Sequence, residues 1–253
     1  MTATHRDDLG IIVYAPALMG DDGRPGSIVR GMERALSGLS LEWTTSSDGQ
    51  RTRLVDRDGW LARQKMHGEF PLLSNGNESN FMSVIGWDGP ATSSSGRQAQ
   101  LEVHARLPLT AEVVAATAKV LENIAEGARA FWGHATPFHA GLDIARQTKN
   151  WTANPQPPPR GLPALNLPPD LRWPEIPHCL GWLSYWSAAT ARAIGFPDPA
   201  RDVDLLARAR RTATGGWVVR LTDEPLDLDN PAHLDALLRA YERFPAIGGR
   251  AEG

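Results

Sequence analysis

Nine prolines fall between Trp151 and Pro177, at positions 155, 157, 158, 159, 163, 168, 169, 174 and 177. Proline fixes φ, lacks a backbone donor and is excluded from helix interiors and central strands. This stretch is therefore extended, and regular structure must be arranged on either side of it. Leu162, Leu165, Leu167, Leu171, Trp173 and Ile176 interleave with the prolines. A free linker carries few large apolar side chains. Residues 151–177 are thus expected to form a docked arm joining two halves of a single α+β domain that spans 1–253.

Before the arm, Leu9–Ala15 (LGIIVYA) is a β-branched apolar run closed by Pro16, the pattern of a central strand. Ser27 is read as the cap of a helix carrying Ile28, Met32, Ala35 and Leu36, with Gly38 ending it. A strand over Leu39–Thr45, a turn at Ser47–Gln50 and a return strand over Arg51–Val55 follow. A short helix then runs from about Asp58 to His67. Ser74–Asn80 is a turn-rich polar loop, Phe81–Trp87 a strand, and Asp88–Gln98 a flexible connector by composition. In Gln100–Leu107 the residues Leu101, Val103, Ala105 and Leu107 alternate with Glu102, His104 and Arg106, which predicts one buried and one wet face. Thr110 caps the strongest helix, with Glu112 in its first turn and an apolar stripe reaching Trp132.

After the arm, Cys179–Trp186 reads as a strand and Ser187–Gly195 as a short helix. Asp202–Arg210 reads as a helix and Gly216–Thr222 as a strand. Asn230 and Pro231 then open a terminal helix with Leu234, Leu237, Leu238 and Tyr241 on its apolar face. The expected fold is α+β: a mixed or antiparallel sheet with helices packed on it. Strand–strand–helix order occurs on both sides of the arm, so two related halves are one reading of it and coincidence the other.

The net charge of −3 gives no basis for a nucleic-acid or membrane partner. Cys179 is the sole cysteine, so no intrachain disulfide forms. Met1–Leu18 lacks the features of an export signal, and no apolar run approaches the ~20 residues of a membrane span. The expected location is the cytoplasm.

Motifs for chemistry are sparse, and no cofactor is expected. No two of the seven histidines stand at the i, i+4 spacing of a helical metal site. His134 and His139 flank Pro137 in what reads as a loop. Cys179 follows His178, but strand neighbours point to opposite faces, so the pair makes a poor nucleophilic dyad. Gly23–Gly31 lacks a phosphate-binding pattern. Seven tryptophans (43, 60, 87, 132, 182, 186 and 217) fall in predicted elements and read as core. Trp151 and Trp173, on the arm, read as interface anchors. The candidate partner-binding residues are Asn77, Glu78, Asn80, Asp88, Trp151 and Trp173.

The stretches LGIIVYAPAL, EGARAFWGHATP, PRGLPALNLP, LGWLSYWSAATARAIGFPDPARD and GGWVVRLTDEPLDLDNPAHLDALLRAYERF resemble an uncharacterised bacterial family of unknown function along the whole chain. Gly181, Trp182 and Tyr185, then Trp217–Leu221, then Asp227–Phe244 more distantly resemble immunity proteins of type VI secretion and polymorphic-toxin systems. That resemblance implies a protein that binds a cognate toxin and blocks its active site. Two other readings stay open. One is an enzyme whose site residues, among them His104, His134, His139 and Cys179, converge only in the fold. The other is a scaffold that forms a homo-oligomer through the arm.

Overall fold

The computed structural model describes residues 8–19, 22–46, 48–65, 70–89, 100–148, 157–167, 171 and 174–252. Trp151, Trp173 and the connector 90–99 lie outside them. Among the described residues ten strands form one open antiparallel sheet: β1 (Asp8–Pro16), β2 (Trp43–Thr45), β3 (Arg51–Arg53), β4 (Phe70–Ser74), β5 (Ser83–Gly89), β6 (Gln100–Pro108), β7 (Trp132–Pro137), β8 (Leu183–Trp186), β9 (Ala209–Arg211) and β10 (Trp217–Arg220). Their order is β3-β2-β4-β5-β6-β1-β7-β8-β10-β9. Strands from both sides of the proline-rich segment thus share one sheet. The apolar run at Leu9–Ala15 is central, as expected, with β6 and β7 beside it.

Register fixes what each face carries, because paired residues share a face and neighbours alternate. Leu9, Ile11, Val13 and Ala15 are fully buried on one face, opposite Leu101, Val103, Ala105 and Leu107 of β6. Two helices, α1 (Arg24–Ala35) and α3 (Ala111–Ala128), cross on this side. Gly31 makes the crossing close: a Cβ there would lie 2.8 Å from the Asn123 carbonyl oxygen, and the Asn123 amide donates to the Gly31 carbonyl at 2.9 Å. Glu126 of α3 accepts from the Tyr185 hydroxyl at 3.1 Å, and Glu122 accepts from Arg210 of β9 at 2.6 Å. Burial pushes the Glu122 carboxyl up, but hydrogen bonds from Arg210 and Lys119 outweigh it and hold it below the ordinary range.

The opposite face is covered in two places. The short helix α4 (Phe138–Ala145) lies over β1 and β7. Beside β8, Trp186 meets Phe196 and Phe244 edge-on, and Phe196 meets Trp217 at 87°. Phe244 follows α7 (Pro231–Arg243), so α3 and α7 cover opposite faces. Three further helices, α2 (Arg57–Lys65), α5 (Ala188–Ile194) and α6 (Val203–Ala207), complete the seven among the described residues.

Several caps are as the sequence predicts. Thr110 accepts from Val113, Ser187 from Thr190 and Asn230 from Ala232, while Gly195 takes the left-handed conformation. Other elements differ. Gly23, not Ser27, precedes α1, with Pro25 in its first turn; the Ser27 hydroxyl bonds back to the Gly23 carbonyl inside the helix. The long helix stops at Ala128 because Arg129 turns left-handed (φ 53°), and Trp132 begins β7. His134 therefore sits in a strand and His139 in α4. Asp202–Arg210 divides into α6 and β9.

The described part of the arm is seated on the fold. Leu162, Leu165 and Leu171 are buried, Leu165 bridges Thr148 in parallel, and Arg160 pairs with Asp143 at 2.6 Å and Asp229 at 2.8 Å. Gly248 and Gly249 adopt positive φ and let Leu165 and Asn166 approach the C-terminal turn.

Candidate functional site

Asn77, Glu78 and Asn80 lie in the β4–β5 loop, which braces itself. Asn75 Oδ1 accepts from the Asn77 and Met82 amides, and Asn77 Oδ1 from the Ser79 and Asn80 amides at 3.0 and 3.1 Å. Such Asx turns give a polar loop one shape. Gly76 (φ +70°) lies against the Trp43 ring, where a Cβ would fall 2.6 Å from the indole. Asn77 and Asn80, together with Ser37, Ser40 and Glu112, line a polar cleft of about 270 Å³. Glu78 projects outward and accepts from Arg51 at 2.8 Å.

Asp88 is at the other end of β5, roughly 17 Å along the strand from Ser83. Its Oδ1 accepts the Leu18 amide at 3.2 Å, so it also ties the chain after β1 to β5. The fold does not bring these candidates to one spot.

Between them lies a half-open sheet face that the sequence reading missed. Trp87, read there as core, is 41% exposed. Its ring lies 4.5 Å from that of His104, whose Nε2 is 2.5 Å from Glu102 Oε1. The Tyr14 hydroxyl donates to the same carboxylate at 3.4 Å, and the Tyr14 ring stacks on Trp132 at 4.2 Å. Arg106 of this face pairs with Asp8. A signal was present: pairing Phe81–Trp87 with the alternating strand Gln100–Leu107 sets Trp87 opposite Glu102, on the wet side.

This face runs into a pocket of about 370 Å³ beneath α4. Its floor is Gly10, Ile12, His134 and Thr136; Gly141 and Leu142 overhang it, and Cys179 closes a side. Gly181 lets the segment before β8 press onto β7, since a Cβ there would overlap Thr136 Oγ1 and stand 2.9 Å from His134 Cβ. Two residues of the enzyme reading, His134 and Cys179, thus meet at one pocket. Their environment opposes nucleophilic chemistry by that pair. Burial pushes the Cys179 thiol up to about 12. Burial, with the nearby His104 and His178, brings the His134 imidazole down to about 4. At neutral pH both are uncharged, the reverse of a thiolate–imidazolium pair. His139 lies apart, 3.9 Å from Asp227. Among the described residues no three His, Cys, Asp or Glu side chains are grouped to hold a metal ion, and no helix is long and apolar enough to cross a membrane.

Fold and surface together define a class: an open antiparallel α+β sheet protein with one helix-covered face and one partly bare, aromatic face. Residues 20–252 match the domain of unknown function DUF5953, and the chain belongs to that family. A solved structure of a Pseudomonas aeruginosa T6SS protein is similar in fold, with a TM-score of 0.53 and 17% sequence identity over 93% of this chain and 72% of that one. A comparison with the curated proteins finds no match.

Proposed function

We propose that this chain is an immunity-type protein that binds a cognate bacterial toxin and neutralises it by covering its active site. The observation that carries the reading is the bare sheet face centred on Trp87 and His104. A large aromatic, braced by its neighbours and exposed on a rigid strand, is the type of group that anchors protein interfaces. Glu102, Arg106 and the outward Glu78 supply charge of both signs around it, which favours a partner of complementary pattern. The likeness in fold to a T6SS protein supports the setting. The loop residues Asn77, Glu78 and Asn80 form one flank of the proposed contact, Asp88 the other, and Trp151 and Trp173 are proposed as further anchors.

The test is co-expression with the toxin encoded beside its gene. Cells are expected to survive, the two proteins to elute together on sizing, and Trp87→Ala to weaken the complex by about 30-fold, the loss typical of a hot-spot residue. Equal killing with and without this protein, and no complex on the column, overturns the proposal.

A further inference from the structure

The pocket beneath α4 poses a separate question, because two of its residues are smaller than their positions require. Gly10 is the third residue of the central strand and Gly141 lies in the middle of α4, places where glycine weakens the element by roughly 0.5–1 kcal/mol. Neither has positive φ. Packing does not demand them either: a Cβ on Gly10 would meet only the Thr136 carbonyl oxygen, at 3.8 Å, and one on Gly141 only Thr136 Cγ2, at 4.0 Å. Gly31 and Gly181 show what a sterically required glycine looks like in this fold. What Gly10 and Gly141 preserve is the open volume between sheet and helix.

We infer that this pocket is a binding site for a small, uncharged, largely apolar molecule, of one or two rings or a short acyl chain, held by one hydrogen bond to His134. The volume of about 370 Å³ lies in the range of small-molecule sites. Ile12, Ile144 and Leu142 supply apolar wall, and no Asp, Glu, Lys or Arg lines it. An ionised group would lose hydration there with no carboxylate, lysine or arginine in the lining to pair with it. Tyr14, Thr136, Thr148 and His178 also line it, but His134, on the floor, is the polar group placed to fix orientation. The residue is only 8% exposed; its Nδ1 is 3.1 Å from Thr136 Oγ1, while Nε2 makes no hydrogen bond among the described residues. The Thr136 hydroxyl can donate or accept, so Nε2 can serve a ligand hydroxyl, carbonyl or amide. The ring stays neutral at physiological pH, in keeping with an uncharged ligand.

The experiment is saturation-transfer NMR on the full chain with indole, 2-naphthol and hexanamide as neutral probes and naphthalene-2-sulfonate as the charged counterpart. At least one neutral probe is expected to bind saturably, and the sulfonate at least tenfold more weakly. Gly141→Leu and Gly10→Val, which fill the pocket from the helix and the strand, are each expected to weaken binding at least tenfold while leaving thermal unfolding unchanged or raised. His134→Phe is expected to lower affinity for 2-naphthol more than for naphthalene, added as the probe with the same rings and no hydroxyl. Two outcomes overturn the inference: no neutral probe binds the native protein below millimolar concentration, or binding persists undiminished in whichever filled variant is folded. Because no toxin enters the measurement, the result is independent of the proposed function.

Discussion

Arg243 grips Asp202 with both arms of its guanidinium, Nε to Oδ1 at 2.6 Å and Nη2 to Oδ2 at 2.9 Å. The Asp202 carboxylate is wholly buried, and it also accepts the Asp198 amide at 2.7 Å. Arg243 reaches on to the Gly195 carbonyl at 2.8 Å. One ion pair thus ties the end of α7 to the start of α6 and the end of α5. Removing one partner of a buried pair strands the other charge. Asp202→Ala is expected to lower unfolding stability by about 3–5 kcal/mol, read from urea denaturation. A loss below about 1 kcal/mol would show that water replaces the lost partner.

Arg24 is the corresponding clamp at the other end of the chain. Its side chain, 6% exposed, donates to the Pro16, Ala17 and Ala128 carbonyls at 2.7, 2.6 and 3.1 Å. It caps the last turn of α3 and the exit of β1 together. Arg24→Met keeps the volume but leaves the buried Ala128 carbonyl without its donor and the Asp22 carboxylate without its partner, at a cost of about 1–3 kcal/mol in the same assay. Arg24→Lys is expected to recover little, since an ammonium cannot reproduce the planar fork.

The α1–α3 crossing depends on two glycines. A Cβ at Gly127 would stand 3.0 Å from the Ile28 amide nitrogen, as one at Gly31 would crowd Asn123. Alanine, normally the better helix former, is expected to destabilise at either site by about 1–3 kcal/mol. The contrast with Gly141, where a Cβ makes only an ordinary contact with Thr136 Cγ2 at 4.0 Å, is measurable by thermal unfolding of the three single variants.

His134 makes stability depend on pH. Its imidazole titrates near 4 when folded, against 6.5 for the free side chain. Between these values the unfolded chain holds the extra proton, so stability falls as pH drops from about 6.5 towards 4. The contribution is about 3 kcal/mol at most. Denaturation at pH 7.5 and 4.5 is expected to show a smaller acid loss in His134→Phe than in the native protein. The comparison cancels the titrating carboxylates common to both. Equal losses would mean that the imidazole gains solvent in the folded state.

Much of the architecture is legible in local pattern. The alternation in Gln100–Leu107, the caps Thr110, Ser187 and Asn230, and the apolar run in β1 each report a local preference that the fold also satisfies. The elements that hide do so because their burial is set by distant parts of the chain. In β7, Trp132, His134 and Thr136 face one side and Gly133 and Ala135 the other, so the strand shows no apolar alternation. Its burial comes from α3 on one side and from α4 and the segment that Gly181 admits on the other. The end of α3 carries no glycine signal, because Arg129 takes the left-handed turn itself. The pocket is illegible for a similar reason: Gly10, His134 and Cys179 are far apart in sequence and meet only through the β1–β7 pairing and the Gly181 contact. Trp87 was within reach, since strand register alone assigns it to the wet face.

The sheet ends on β3 at one side and β9 at the other, each three residues long, reading Arg-Thr-Arg and Ala-Arg-Arg. Arg51, Arg53 and Arg210 are held in ion pairs with Glu78, Glu42 and Glu122, so both borders are short, charged and offer little backbone for a new strand to pair with. Edges of this kind disfavour sideways growth of the sheet through strand pairing. Whatever docks on this protein is steered away from strand addition and towards the side chains of its flat surface.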